Sequence, residues 1–264
     1  VKKIPKFKIR CSANGDIMAG SVGLSETQER KLDGFRKKQI EGKKLTPLQE
    51  LEEINLFTLR DNPQLPAGAK SYCRTWLKEQ LYDRRKGFTS KYTDKGNTCE
   101  DDSIAFLNEY FLGDMKKNEE FFQNNFMQGT PDIITDAAYV WDVKNSWEPD
   151  TFPLFDTKPD KGYWWQLQGY MALTGRSKAR LVYTLMDAPP ELITDEARRA
   201  SYKSNKSADE LLEYYTAQMT YSDVDTDLRI KYFDFDRDDS AIEEIETRVK
   251  LCQIYINELL ENVG

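Results

Sequence analysis

The sequence predicts a mixed α/β fold: a central mixed β-sheet flanked by helices, with a helical N-terminal region ahead of it. Three observations carry this. Apolar residues at helical spacing fill the first third, short β-branched and aromatic runs broken by Gly, Pro, Asn and Asp fill residues 121–144, and helical and strand patterns alternate from residue 161 onward. With 264 residues, 39% hydrophobic and 12% aromatic, the chain can bury a sizeable core and is too aromatic for disorder. Neither a repeat nor a low-complexity linker divides it. One domain over 1–264 is expected, with a basic helical region at 1–95, a core at 96–185 and C-terminal helices and a strand at 186–264.

In order, residues 25–41 are polar and helix-permissive, and Thr46-Pro47 supplies an N-cap followed by proline at the first helical position. The helix so opened, 48–60, carries Leu48, Leu51, Ile54 and Leu56 or Leu59 near helical spacing. Asn62 to Gly68 breaks the chain, and Tyr72, Trp76, Leu77 and Leu81 then form the apolar stripe of a helix over 69–86 whose other faces are basic. Ile104, Leu107 and Phe111 share one face of a helix over 100–111. Residues 121–122, 129–135 and 139–144 read as an antiparallel meander. Further helices are expected at 161–175, 208–219 and 242–260, and further strands at 179–185 and 227–235.

The composition excludes much chemistry. There is no histidine, so serine-histidine and cysteine-histidine nucleophiles, histidine bases and histidine-ligated zinc are all absent. The four cysteines, Cys11, Cys73, Cys99 and Cys252, form no C-x-x-C pair and read as reduced, buried thiols; no zinc site is expected. No apolar run approaches the roughly 20 residues of a membrane span, and Val1 to Arg10 is basic with no apolar stretch behind it. A cytoplasmic protein without a membrane partner is the expectation.

Charge is polarised along the chain. The net charge is −7, yet residues 1–95 hold 21 basic against 12 acidic side chains and residues 96–264 hold 17 against 33. The basic residues cluster at Lys2 to Arg10, Arg30 to Lys44 and Lys70 to Lys91, the last including Arg74, Lys78, Arg84, Arg85 and Lys86. Each cluster suits either a solvated helix face or contact with phosphate.

Asp142-Val143-Lys144 lies in an apolar strand, where residues i and i+2 project to the same face, so a carboxylate and an ammonium emerge side by side. A D-x-K alone is commonly a surface ion pair. Ten residues earlier, Gly129-Thr130-Pro131-Asp132 starts the preceding strand and can bring a second carboxylate alongside in a hairpin. Such hard oxygen donors suit Mg²⁺ or Mn²⁺, which acidifies water and neutralises charge on phosphate, and a lysine can orient the nucleophile without any histidine.

Asp132, Asp142-x-Lys144, the helical Glu100 upstream and Gln166-Leu-Gln-Gly-Tyr170 downstream together resemble the PD-(D/E)xK nuclease superfamily, in the branch with a QxxxY helix. Within it the sequence is most similar to phage exonucleases of the lambda-exonuclease and YqaJ viral-recombinase type, from about Lys95 to Gly175. The resemblance implies a restriction-endonuclease-like core, metal ligation by Asp132 and Asp142 with Glu100 at the shell, and a water-positioning role for Lys144. It places Gln166 and Tyr170 at the edge of the site and Arg10 and Ser12 at a DNA-terminal phosphate. Arg74, Lys78, Arg84 and Arg85 are the candidate phosphate contacts along the duplex.

The implied activity is Mg²⁺- or Mn²⁺-dependent digestion of linear duplex DNA from an end, in phage-type recombination within the host cytoplasm. Implied partners are DNA ends, a single-strand annealing protein and further copies of the chain. A structure-specific or restriction-like endonuclease and a catalytically silent DNA-end binder remain as alternatives. Two departures stand out: Asp142 occupies a position where many relatives carry glutamate, and only Cys252 lies near the C-terminus, so the iron-sulfur cluster of other QxxxY nucleases is not expected.

Overall fold

The computed structural model describes residues 4–85, 87, 91–135 and 139–263; Lys2, Lys3 and Lys86 of the basic clusters lie outside them. Strands β1 (Ile9–Arg10), β2 (Phe122–Gln123) and β3 (Met127–Gly129) form a small sheet in the order β1-β3-β2. Strands β4 (Ile133–Ile134), β5 (Tyr139–Asn145), β6 (Lys178–Thr184) and β7 (Ile230–Asp236) form the larger sheet in that order. In it β5 and β6 are parallel, while β4 and β7 run antiparallel to their neighbours. The expected meander is therefore split between two sheets: the chain leaves β3 at Gly129 and enters β4 after Pro131, which has no backbone N–H to give to a ladder.

The helices are α1 (Asn14–Met18), α2 (Glu26–Ile40), α3 (Pro47–Asp61), α4 (Ala67–Tyr82), α5 (Lys91–Thr98), α6 (Glu100–Phe111), α7 (Lys161–Thr174), α8 (Pro190–Ser201), α9 (Ala208–Met219) and α10 (Asp239–Glu261). Local chemistry sets many of their ends. Ser25 with Gln28, Thr46 with Gln49 and Ser207 with Glu210 close capping boxes at the starts of α2, α3 and α9. Asp83 and Gly175 take left-handed conformations that end α4 and α7.

Four elements lie beyond the sequence expectation. α8 opens on Pro190 with Glu191 in its first turn and buries Ile193 and Ala197, an i, i+4 pair that is a readable signal. α5 contains Gly96, and β1 and α1 are too short for periodicity to show. The α3 stripe is also corrected: Leu48, Leu51 and Ile54 are 80%, 57% and 59% exposed, and Leu56 is the residue that packs with Leu32 and Phe35 of α2. α3 forms a hairpin with α2, and only the side facing α2 is covered.

The larger sheet is covered on both faces. Val140, Ala179 and Leu181 pack beneath α7 and α10 with Leu167, Met171, Ile245 and Val249; Trp141, Val182 and Ile230 pack against Ile104 and Leu107 of α6. Successive residues of β5 thus alternate between an α7 face and an α6 face. Among the described residues no helix is long and apolar enough to cross a membrane.

α7 comes unusually close to the N-terminal segment. A Cβ on Gly169 would stand 2.5 Å from Asn14 Nδ2 and 2.8 Å from Cys11 Sγ. Asn14, fully buried, donates to the Trp165 carbonyl at 3.1 Å. Gly169→Ala is therefore expected to lower the melting temperature, because overpacking costs about 1–3 kcal/mol and outweighs the helix-propensity gain. Gly34→Ala, with open space around it on α2, is expected to raise stability by up to about 1 kcal/mol, and thermal melting of the two variants checks the pair.

Candidate active site

The pairing of Ile133 with Trp141 and of Ile134 with Val140 puts Asp132, one residue before β4, across from Asp142 on β5. Asp132 Oδ2 accepts the Val143 backbone N–H at 2.6 Å, so the strand's own backbone holds this carboxylate in place. Asp142 is only 1% exposed. Its Oδ1 accepts from Gln166 Nε2 at 2.7 Å, and its Oδ2 lies 2.6 Å from Lys144 Nζ. Asp142 and Lys144 share the α7 face of β5, as the i, i+2 spacing requires.

The i, i+4 pair on α7 ties both acidic segments together. Gln166 Nε2 also lies 3.3 Å from the Tyr170 hydroxyl, which donates to the Thr130 carbonyl at 3.2 Å. One helix thereby grips the strand of Asp142 through Gln166 and the turn before Asp132 through Tyr170. Gly129 makes this possible, since a Cβ there would stand 2.9 Å from Tyr170 Cε1. Tyr163, one turn before Gln166, presents its ring 5.2 Å from Lys144 Nζ.

Electrostatics follow from burial and crowding. Burial, then the charge of Asp142, pushes the Asp132 carboxyl up to about 7, against the opposing pull of Lys144 and the Val143 N–H. Burial acts to lower Lys144, but the two carboxylates outweigh it and hold the ammonium above its ordinary value. Burial and then the Asp142 and Asp132 charges push the Tyr170 phenol up, which keeps it a hydrogen-bond donor.

The other expected site residues stand at varying distance from this centre. Glu100 begins α6, on the other side of the sheet, and its Oε2 pairs with Lys117 Nζ at 3.2 Å; its charge still acts on Asp132. Among the described residues no three acidic or cysteine side chains converge into a ready-made metal cluster. Two carboxylates and one ammonium do. Ser12 lines a cleft of about 560 Å³ with Asp16, Lys161, Tyr163 and Gln166, which joins it to the centre, and Arg10 on β1 lies two residues before it. Arg74, Lys78, Arg84 and Arg85 are exposed on and just after α4, and none of them bonds to the centre. Sequence reasoning missed Asn14 and Tyr163, and it named Gly129 only as the start of a strand, not for its closeness to Tyr170. Only Tyr163 carried a signal, its i, i+3 spacing to Gln166.

No protein-family model matches the chain, and no curated protein matches it. Solved structures do. A phage-related exonuclease from Haemophilus somnus 129PT superposes with a TM-score of 0.70 at 24% identity over 98% of both chains. An alkaline exonuclease from Laribacter hongkongensis superposes with a TM-score of 0.58 at 14% identity, covering 97% of this chain and 91% of its own. Its complex with dAMP gives 0.56. The chain therefore has the fold of the phage-related and alkaline exonucleases, and the expected resemblance is borne out at the level of the fold.

The folded Asp132 value of about 7 lies above the ordinary carboxylate value of 3.8, so the folded protein holds this proton more tightly than the unfolded chain. The stabilisation is full below pH 3.8 and is lost as pH rises through about 7. Metal-free Asp132→Asn is expected to melt a few degrees higher than the parent above pH 7 and to lose that part of the pH dependence between 4 and 7, which melting curves across pH test.

Proposed function

We propose that the chain is a metal-dependent exonuclease that hydrolyses phosphodiester bonds of linear duplex DNA from an end, in phage-type recombination or DNA processing. The observation that carries this reading is the convergence of Asp132, Asp142 and Lys144 under a Gln166–Tyr170 clamp, on a fold shared with solved exonucleases.

The donor set fits a divalent cation. Asp142 Oδ2 is buried and lies beside an ammonium, yet it accepts no well-directed hydrogen bond, and Asp132 is driven toward protonation by burial and then by its carboxylate neighbour. A cation relieves both. Asp132 and Asp142 would hold Mg²⁺ or Mn²⁺, with Glu100 at the rim. When bound, the ion supplies neutralisation of phosphate charge and acidification of water.

The chain's own residues do the rest. Lys144, held charged between two carboxylates, orients the attacking water and stabilises negative charge developing on phosphate. Gln166 and Tyr170 keep the two carboxylates in one geometry, so little reorganisation is left for the reaction. Ser12, on the cleft beside Gln166, and Arg10 are suited to the terminal phosphate. The basic face of α4 is suited to the duplex beyond it.

Pure protein is expected to consume linear duplex DNA with Mg²⁺ or Mn²⁺, to spare closed circles and to stop with a chelator; comparable cutting of circles would make it an endonuclease. Lys144→Ala should slow single-turnover cleavage by about 10²-fold or more, the scale of one electrostatic group in a transition state. It should also lower stability, because it leaves the buried Asp142 unpaired, so rates are compared per folded protein.

A second test addresses polarity. DNA binding should weaken steeply with salt despite the net charge of −7, and charge reversal at Arg74, Lys78, Arg84 and Arg85 should weaken it more than reversal at Lys203 and Lys206. Equal effects from both sets, measured by titration at two salt concentrations, would remove the argument from charge polarity.

A further inference from the structure

Lys95 is 0% exposed, and among the described residues no carboxylate lies within ion-pairing distance of it. A lysine so placed is costly unless its donors are used. Its Nζ donates to the Ser146 carbonyl and to the Trp147 carbonyl, each at 3.0 Å, and lies 5.5 Å from the Tyr221 ring. Ser146 and Trp147 directly follow β5, the strand of Asp142 and Lys144. Lys95 belongs to α5, which runs through Cys99 into α6, whose first residue is Glu100.

A second tie lies on the far side of Glu100. Ser103 Oγ accepts from Asn145 Nδ2 at 3.1 Å and from Thr184 Oγ1 at 3.1 Å, and donates to the Cys99 carbonyl at 2.7 Å. Lys95 and Ser103 thus bracket Glu100 in sequence, and both are bonded to the last residue of β5 or the two that follow it, residues 145–147. Among the described residues Glu100 itself has no bond to that strand; it pairs with Lys117. Its stance relative to Asp132 and Asp142 is inherited from these two ties.

We propose that Lys95 is a positioning residue: by gripping the Ser146 and Trp147 carbonyls it fixes where Glu100 stands against the Asp132–Asp142 pair, and so sets how tightly the site holds a divalent cation. The inference rests on the metal-nuclease reading above. Groups that orient a metal shell from behind typically change metal affinity by 10–100-fold.

The test is calorimetric titration of Mn²⁺ into folded, DNA-free protein, in a cycle of wild type, Lys95→Met, Glu100→Gln and the double variant. Lys95→Met is expected to weaken Mn²⁺ binding about 10-fold, and to add nothing once Glu100 is Gln. A purely structural role would lower the melting temperature of Lys95→Met but leave its Mn²⁺ affinity unchanged, or weaken it equally in both backgrounds; either result overturns the proposal. Should Lys95→Met fail to fold, Ser103→Ala takes its place in the same cycle with the same two outcomes. Wild-type protein that binds no Mn²⁺ would instead overturn the metal-nuclease reading, and this inference with it.

Discussion

Placing a carboxylate at 1% exposure inside a sheet is the constraint on which the rest of this structure turns. A buried, unpaired charge would cost several kcal/mol, so Asp142 requires partners on the same side of its strand. Lys144 supplies the counter-charge and Gln166 the hydrogen bond. Gln166 can reach only if α7 lies close over β5, and that closeness propagates. Gly169 removes a side chain where Asn14 and Cys11 press in, Gly129 removes one where Tyr170 passes, and Asn14 holds the Trp165 carbonyl. The short N-terminal segment carrying Ser12 is thereby packed against α7, beside the cleft it lines with Gln166.

The two faces of the sheet divide the work. On the α7 face, Val140 is core while Asp142 and Lys144 form the charged centre; on the α6 face, Trp141 is core and Asn145 bonds to Ser103. Asp132 belongs to both sides, since its carboxylate is held by the backbone of β5 and feels Glu100 at the head of α6. Alternation along seven residues of one strand is enough to set one carboxylate firmly and leave another, Glu100, to be placed by a helix.

What was legible in the sequence was what is local. Thr46-Pro47 marked the start of α3, and the D-x-K and Q-x-x-x-Y spacings put side chains on shared faces as found. The split of the meander at Pro131 and the packing roles of Gly129 and Asn14 depend on which segment lies opposite, and no window of sequence contains that information. The stripe of Leu48, Leu51 and Ile54 misled for the same reason: helical spacing shows that a face is apolar, not that anything covers it. Lys95 reads as one more basic residue in a basic stretch; only its burial against two carbonyls distinguishes it.

The charge pattern then acquires a physical sense on the nuclease reading. Above pH 7, with both carboxylates ionised, two carboxylates and one ammonium leave the centre with net negative character, which repels phosphate. Affinity for a polyanion therefore has to come from elsewhere in the chain, and the excess of basic side chains in residues 1–95 is where it is available. On that reading, separating the two functions would let the centre stay acidic enough for a hard cation while basic side chains elsewhere in the chain hold the duplex. A centre made basic enough to bind phosphate directly would bind a hard cation less well, so on the nuclease reading polarisation along the chain suits this chemistry better than a uniformly basic surface.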